Sequence, residues 1–250
     1  MLTNISAQRL VPDRSDVGTI LLALLAAGCA DAGSLEPLAL DLDADSAPAS
    51  LANALQLETG GSAAIEALRG PLTDADWVVH AWAVAILGRL GEQATELVGP
   101  ATEDPHESVR VGAIEALHRI SGSVSVTWLM RALGDDAARV RVRSLRALAD
   151  VGALTADHAP QLVALLGDTN RRARRWASIA AVSMGGSAVS ALESALHGDV
   201  EHRWRAAWAL GQIGPRAASA LPRLRELAAD ADERVGTESR AAIAAIEPER

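Results

Sequence analysis

A chain of 250 residues, 49% of them hydrophobic, can bury one large core or one repeat array. It has no Phe or Tyr and only six Trp, so the aromatic and β-branched runs of a sheet protein are missing, and its single cysteine, Cys29, excludes an internal disulfide framework. The formal charge is −9 and every basic residue is Arg, unevenly placed: residues 1–105 carry −11, residues 106–225 carry +6 and residues 226–250 carry −4.

Residues 1–15 read as an amino-terminal extension or cap. The run Ile20-Leu21-Leu22-Ala23-Leu24-Leu25-Ala26-Ala27-Gly28-Cys29 resembles a lipoprotein signal, with Cys29 as the anchor. Three features oppose it. Asp13 and Asp16 precede the run where a signal would be basic, Ala26 replaces a larger aliphatic residue, and the run fits an internal repeat in register. The expectation is a cytoplasmic protein, with lipoprotein anchoring through Cys29 as the lesser alternative. No other stretch is long and apolar enough to span a membrane.

The repeat runs from residue 16 to 246 and leaves 247–250 as a tail. Its copies start at Asp16, Ala47, Val79, Val109, Val140, Ala173, His202 and Val235, a period near 31 residues. The fourth residue after each start is small or apolar, as in Ala83, Ala113, Ser144, Ala177, Ala206 and Ser239. The seventh is Ala in most copies, including Ala116, Ala147, Ala180, Ala209 and Ala242. Offsets 0, 4, 7, 8 and 11 share one helical face, which predicts an amphipathic helix in every copy. Gly28, Gly60, Gly91, Gly122, Gly152, Gly185 and Gly214 follow these helices and are expected to cap them in the left-handed conformation.

A shorter helical pattern follows each glycine, such as 63–68, 162–166 and 221–227, and an acid precedes the next long helix. Asp74, Asp76, Asp104, Asp135, Asp136, Asp168, Asp199, Asp230 and Asp232 are read as caps and first-turn residues. The predicted fold is all-α, an α-solenoid of about seven to eight two-helix units.

The stretches 109–117 (Val-Arg-Val-Gly-Ala-Ile-Glu-Ala-Leu), 140–148 (Val-Arg-Val-Arg-Ser-Leu-Arg-Ala-Leu) and 202–214 resemble HEAT repeats, and most resemble the bacterial type named after phycobilisome lyases. The resemblance is strong over 78–246 and loose in the first two copies, which lack Val-Arg. It implies that the second helix of each pair lines an inner surface. It also implies that Arg110, Arg141, Arg174 and Arg203 at offset one meet inter-repeat acids.

Offsets two, three, six and ten are left facing outward by the packing pattern. They hold Trp82, Trp176, Trp204 and Trp208, with Arg143, Arg146 and Arg205 among them. Trp176 is expected between Arg143 and Arg205, since like positions of adjacent helices lie about 8–10 Å apart. Trp with Arg suits cation–π stacking or a flat, anionic ligand. Glu115 with Arg146, and Arg119 with Asp150, are expected as cross-repeat ion pairs. Trp128 and Trp77 are assigned to packing, and His80 and His202 to solvated or capping roles.

The candidate ligand-binding residues are thus Trp176, Trp204, Arg205, Trp208, Arg143, Arg146, Glu115 and Trp82. No catalytic constellation, glycine-rich phosphate loop, metal set or cofactor motif is present. The first expectation is a non-catalytic adaptor binding a protein, a peptide or a small acidic ligand. The resemblance also admits a small-molecule enzyme or lyase-like chaperone, with Glu115 or Asp150 for proton transfer, so catalysis stays open. A third reading is a DNA glycosylase of HEAT-like type. The acidic first 105 residues and the lack of an acid one turn from a groove Trp speak against nucleic acid.

Overall fold

The computed structural model describes residues 61–73, 76–120 and 122–247. Contacts divide the chain into two compact units, Met1–Ile120 and Ser121–Arg250. The extension at 1–15, the copy starting at Asp16, the long helix of the copy starting at Ala47, Cys29, and residues 248–250 lie outside the described residues. Every regular element among the described residues is a helix, with no strand among them.

The first unit holds α1 (Gly61–Ala67), α2 (Trp77–Leu87), α3 (Thr95–Val98) and α4 (Glu107–Ile120), joined by short 3₁₀ turns. Asp76 caps α2 by accepting the N–H of Val78 at 2.9 Å. After His80 the helix has no polar residue, and every position from Ala81 to Leu87 is buried. This corrects the expected place of Trp82, which is only 6% exposed and belongs to the core. A helix that is apolar all round is enclosed all round, so its offset-three position is not a surface position.

The second unit holds α5 (Ser123–Arg131), α6 (Ala138–Val151), α7 (Ala159–Ala164), α8 (Arg171–Ser183), α9 (Val189–Ala195), α10 (Val200–Ile213), α11 (Leu221–Leu227) and α12 (Glu233–Ile246). The long helices stack in order, α6 on α8, α8 on α10 and α10 on α12. Each short helix packs on the long helix that follows it. The inner columns are those read from the periodicity: Ser144 and Ala147, Ala177 and Ala180, Ala206 and Ala209, Ser239 and Ala242 are buried. Small residues there let the helices approach closely. A Cβ added at Gly211 would lie 3.0 Å from the Ala242 Cα.

Helix ends follow the sequence in part. Gly152 closes α6 in the left-handed conformation at φ +67°, and Gly91, Gly185 and Gly214 also have positive φ. Gly122 does not: at φ −92° it is the residue before α5, not a left-handed cap. Asp199 and Asp232 cap α10 and α12, but α8 is capped by Asn170. Asp104, Asp135, Asp168 and Asp230 sit further upstream and each accept the N–H two residues on. That turn aims each carboxylate away from its own helix.

Candidate functional site

In the second unit these upstream acids meet the offset-one arginines. Arg141 donates to Asp168 through Nε at 2.7 Å and Nη2 at 2.9 Å. Its Nη1 donates to the carbonyls of Asp135 and Asp136. Arg203 donates to Asp230 at 3.1 and 3.3 Å and to the Gly198 carbonyl at 2.9 Å. Each guanidinium therefore ties its own loop to the next one. In the first unit His80 takes this position, with Nδ1 2.8 Å from Asp104 Oδ2 and both side chains mostly buried. His80 is a rung of the ladder, which corrects its expected solvated role. Beside it, Trp77 stacks on His106 with ring centroids 4.0 Å apart.

One rung is rebuilt. Arg110, Arg141 and Arg174 each follow a ladder aspartate by six residues, whereas His197 stands six before Arg203. Asp199 instead caps α10 and pairs with His202, its Oδ1 2.8 Å from the ring Nδ1. Arg174 still binds the carbonyls of Asp168 and Thr169, but its Nε turns to Glu201 Oε2 at 3.4 Å. Glu201 also receives Arg205 at 3.2 Å and Arg234 at 3.0 Å. Burial would raise the Glu201 carboxyl, but the side-chain hydrogen bonds outweigh it and hold the group below the usual carboxylate range. Arg205 lies 4.0 Å over the Trp204 ring, and Arg234 lies 5.9 Å from it.

This network reassigns Arg205. Its side chain is only 11% exposed, and burial pulls its guanidinium below the ordinary arginine value despite Glu201. It closes onto Trp204 of its own helix. Trp176 and Trp208 are partly exposed on α8 and α10, as is Trp204. Arg143 is partly exposed and already has a partner. Arg146 is exposed and has no ion-pair partner within its unit. Glu115 is partly exposed on α4 of the first unit and is also engaged. The sequence reading missed Glu201 and Arg234. The spacing of Glu201 four residues before Arg205 was the available signal.

The exposed surface of α6 and α8 is basic. Arg139 and Arg146 on α6, and Arg171, Arg172 and Arg175 on α8, are exposed, and their side chains have no partner among the described residues. A hollow of about 370 Å³ beside Trp204 is lined by Glu233, Arg234, Thr237 and Glu238. A second, of about 620 Å³, lies between α7 and α9 and is walled mostly by Ala and Ser. Among the described residues no group of His, Cys, Asp and Glu could hold a metal ion. No helix among them is long and apolar enough to cross a membrane.

The repeated helix pairs match known proteins at the level of the repeat. A family model for HEAT repeats matches residues 62–149 and 95–183, and one for the PBS lyase HEAT-like repeat matches 203–230. The chain is a HEAT-repeat protein. The lyase-type HEAT repeat at 203–230 runs from Arg203 to its rung partner Asp230. No curated protein matches this HEAT-repeat chain in sequence. An engineered protein solved by crystallography is similar in fold, at 23% identity and a TM-score of 0.50, covering 86% of this chain and 68% of that one. The complex of CpcE and CpcF of phycocyanin lyase from Nostoc sp. PCC7120 is similar at 20% identity and a TM-score of 0.47, covering 88% and 97%. A designed armadillo repeat protein is similar at 18% identity and a TM-score of 0.42, covering 72% and 98%.

Proposed function

We propose that this HEAT-repeat protein is a binding module, and that the exposed face of α6, α8 and α10 takes an acidic peptide segment of a partner protein. The observation that carries this reading is the set of exposed, unpartnered guanidiniums of Arg146 on α6 and Arg172 and Arg175 on α8, in the run of stacked helices that carries the partly exposed Trp176 and Trp208. Arg141 and Arg203 are consumed by rungs and Arg205 and Arg234 by Glu201, whereas these cations on α6 and α8 are a surplus that folding does not use. Carboxylates would meet the guanidiniums, and aliphatic side chains would lie on the indoles. Trp82 and Arg205 have no part in it, because one is core and the other is held by Trp204 and Glu201.

The test is fluorescence anisotropy of a labelled peptide of alternating Glu and Leu against the full chain. Binding should weaken with salt and fall at least about tenfold in R172E/R175E, since each lost charge-assisted contact is worth about 1.5–3 kcal/mol. Equal affinity for the variant and the parent would sink the reading. Preference for single-stranded DNA over the peptide would transfer the face to nucleic acid.

A further inference from the structure

Three guanidiniums converge on one carboxylate at the start of α10. Glu201 takes Arg234 at 3.0 Å, Arg205 at 3.2 Å and Arg174 at 3.4 Å. Arg205 Nε is out of contact with solvent and lacks a hydrogen-bond partner, and Arg174 Nε reaches Glu201 only at the long 3.4 Å distance. The cluster thus offers more donors, and more positive charge, than its one central acid satisfies. Asp232 holds only the far edge of Arg234, through Oδ1 to Nε and Oδ2 to Nη2. Glu233 and Glu238 line the neighbouring hollow, so an anion is repelled from that side. The helix on the other side, α8, presents Arg172 and Arg175, which are exposed and unpartnered.

Glu201 is also held differently from the ladder acids. Asp168 is buried and fixed by the Asn170 N–H as well as by Arg141. Glu201 is 34% exposed and is held by side chains drawn from α8, α10 and α12. A flexible carboxylate held in this way can turn out to water when a better acceptor arrives.

We propose that Arg174, Arg205 and Arg234 form an oxyanion site in which Glu201 is the resident, displaceable occupant. The ligand is a phosphate or carboxylate group entering from the α8 side. A tetrahedral phosphate offers more acceptor oxygens than Glu201, enough to reach the idle Arg205 Nε while the guanidinium forks stay in place. Trp204 stacked on Arg205 keeps that fork oriented. The proposal does not depend on the peptide-binding reading.

The experiment titrates inorganic phosphate into the full-length chain, with chloride as the control at equal ionic strength and acetate as the carboxylate arm. E201Q removes the competitor and should bind phosphate about tenfold tighter than the parent, as expected if Glu201 fills the site about nine-tenths of the time. Adding R234Q should reverse the gain, whereas W176A/W208A should not. Binding of acetate equal to that of phosphate assigns the site to carboxylates. A folded E201Q that responds alike to phosphate, acetate and chloride overturns the proposal. The parent gives a readout independent of that variant. Phosphate should raise its Tm more than chloride does, and R234Q should abolish the difference. Identical responses in parent and R234Q overturn the proposal as well.

Discussion

Arg141 reaches from α6 to Asp168, in the loop before α8, and grips both carboxylate oxygens at 2.7 and 2.9 Å. Both side chains are mostly buried, at 13% and 3% exposed. Losing the acid would leave the guanidinium enclosed without its charge partner, at a cost of about 3 kcal/mol. D168N should therefore lower the free energy of unfolding, measured by urea denaturation, by that amount. D230N, on the more exposed rung to Arg203, should lose about 1 kcal/mol. Equal losses would show that burial does not set the strength of a rung.

The same rung predicts an acid limit. Burial would raise the Asp168 carboxyl, but it is outweighed by the Arg141 hydrogen bonds, the Asn170 N–H and the charges of Arg141 and Arg174, so it lies below the ordinary value. A carboxyl depressed in the folded state stabilises fully above its unfolded pKa, about 3.9, and loses that contribution as pH falls through the folded value. Asp199 and Glu201 are shifted in the same direction. Stability measured by urea unfolding should be flat from about pH 7 to 5 and fall steeply below about 4. D168N should show a shallower fall.

Much of this fold can be read from period alone. Positions such as Ala147, Ala180 and Ala209 repeat because neighbouring helices need a small residue there, and a constraint that recurs leaves a visible column. Arg141 and Arg203 were readable as rungs through the resemblance to HEAT repeats, which implies that the offset-one arginine meets an inter-repeat acid. Trp82 was misplaced because the column says which face is inner, not whether the other face is covered. Glu201 was missed because it arises from an irregularity. The step from Ala173 to His202 is 29 residues, against 33 on either side, and the shortened loop removes the aspartate that Arg174 would otherwise meet. Periodicity reports what is shared among repeats, while this cluster sits where they differ.

The tryptophans should separate by variant. W82A empties a core site and should cost about 3–5 kcal/mol. W208A removes a partly exposed ring and should cost under about 1.5 kcal/mol. Chemical denaturation ranks the two. Iodide should quench the parent more than acrylamide of equal efficiency would, because exposed arginines on α6 and α8 concentrate the anion. A large loss of stability in W208A with little in W82A would invert the assignment.

Two glycines test backbone against packing. G211A places a methyl 3.0 Å from the Ala242 Cα, a backbone atom that cannot move aside, so α10 and α12 must separate at about 1–3 kcal/mol. G152A meets nothing within 4 Å and pays only for its left-handed backbone, about 1 kcal/mol. Thermal unfolding should therefore place G211A below G152A.

The Glu201 cluster should respond asymmetrically to truncation. Removing one arginine leaves the carboxylate with two others, so R234Q, at a side chain 54% exposed, should change stability by no more than about 0.5 kcal/mol. Removing the acid leaves Arg174, Arg205 and Arg234 facing one another. Arg205 is the costly one, since it is mostly buried and its Nε already lacks a partner. A fully buried pair broken this way loses about 3–5 kcal/mol. Glu201 is 34% exposed, so solvent screens part of the loss and E201A should cost about 2 kcal/mol. A double-mutant cycle decides whether the arginines act through their shared acid. In E201A the further change R234Q should become stabilising, because it removes a repelling charge. An additive cycle, with R234Q equally neutral in both backgrounds, would show that Glu201 does not couple the three helices.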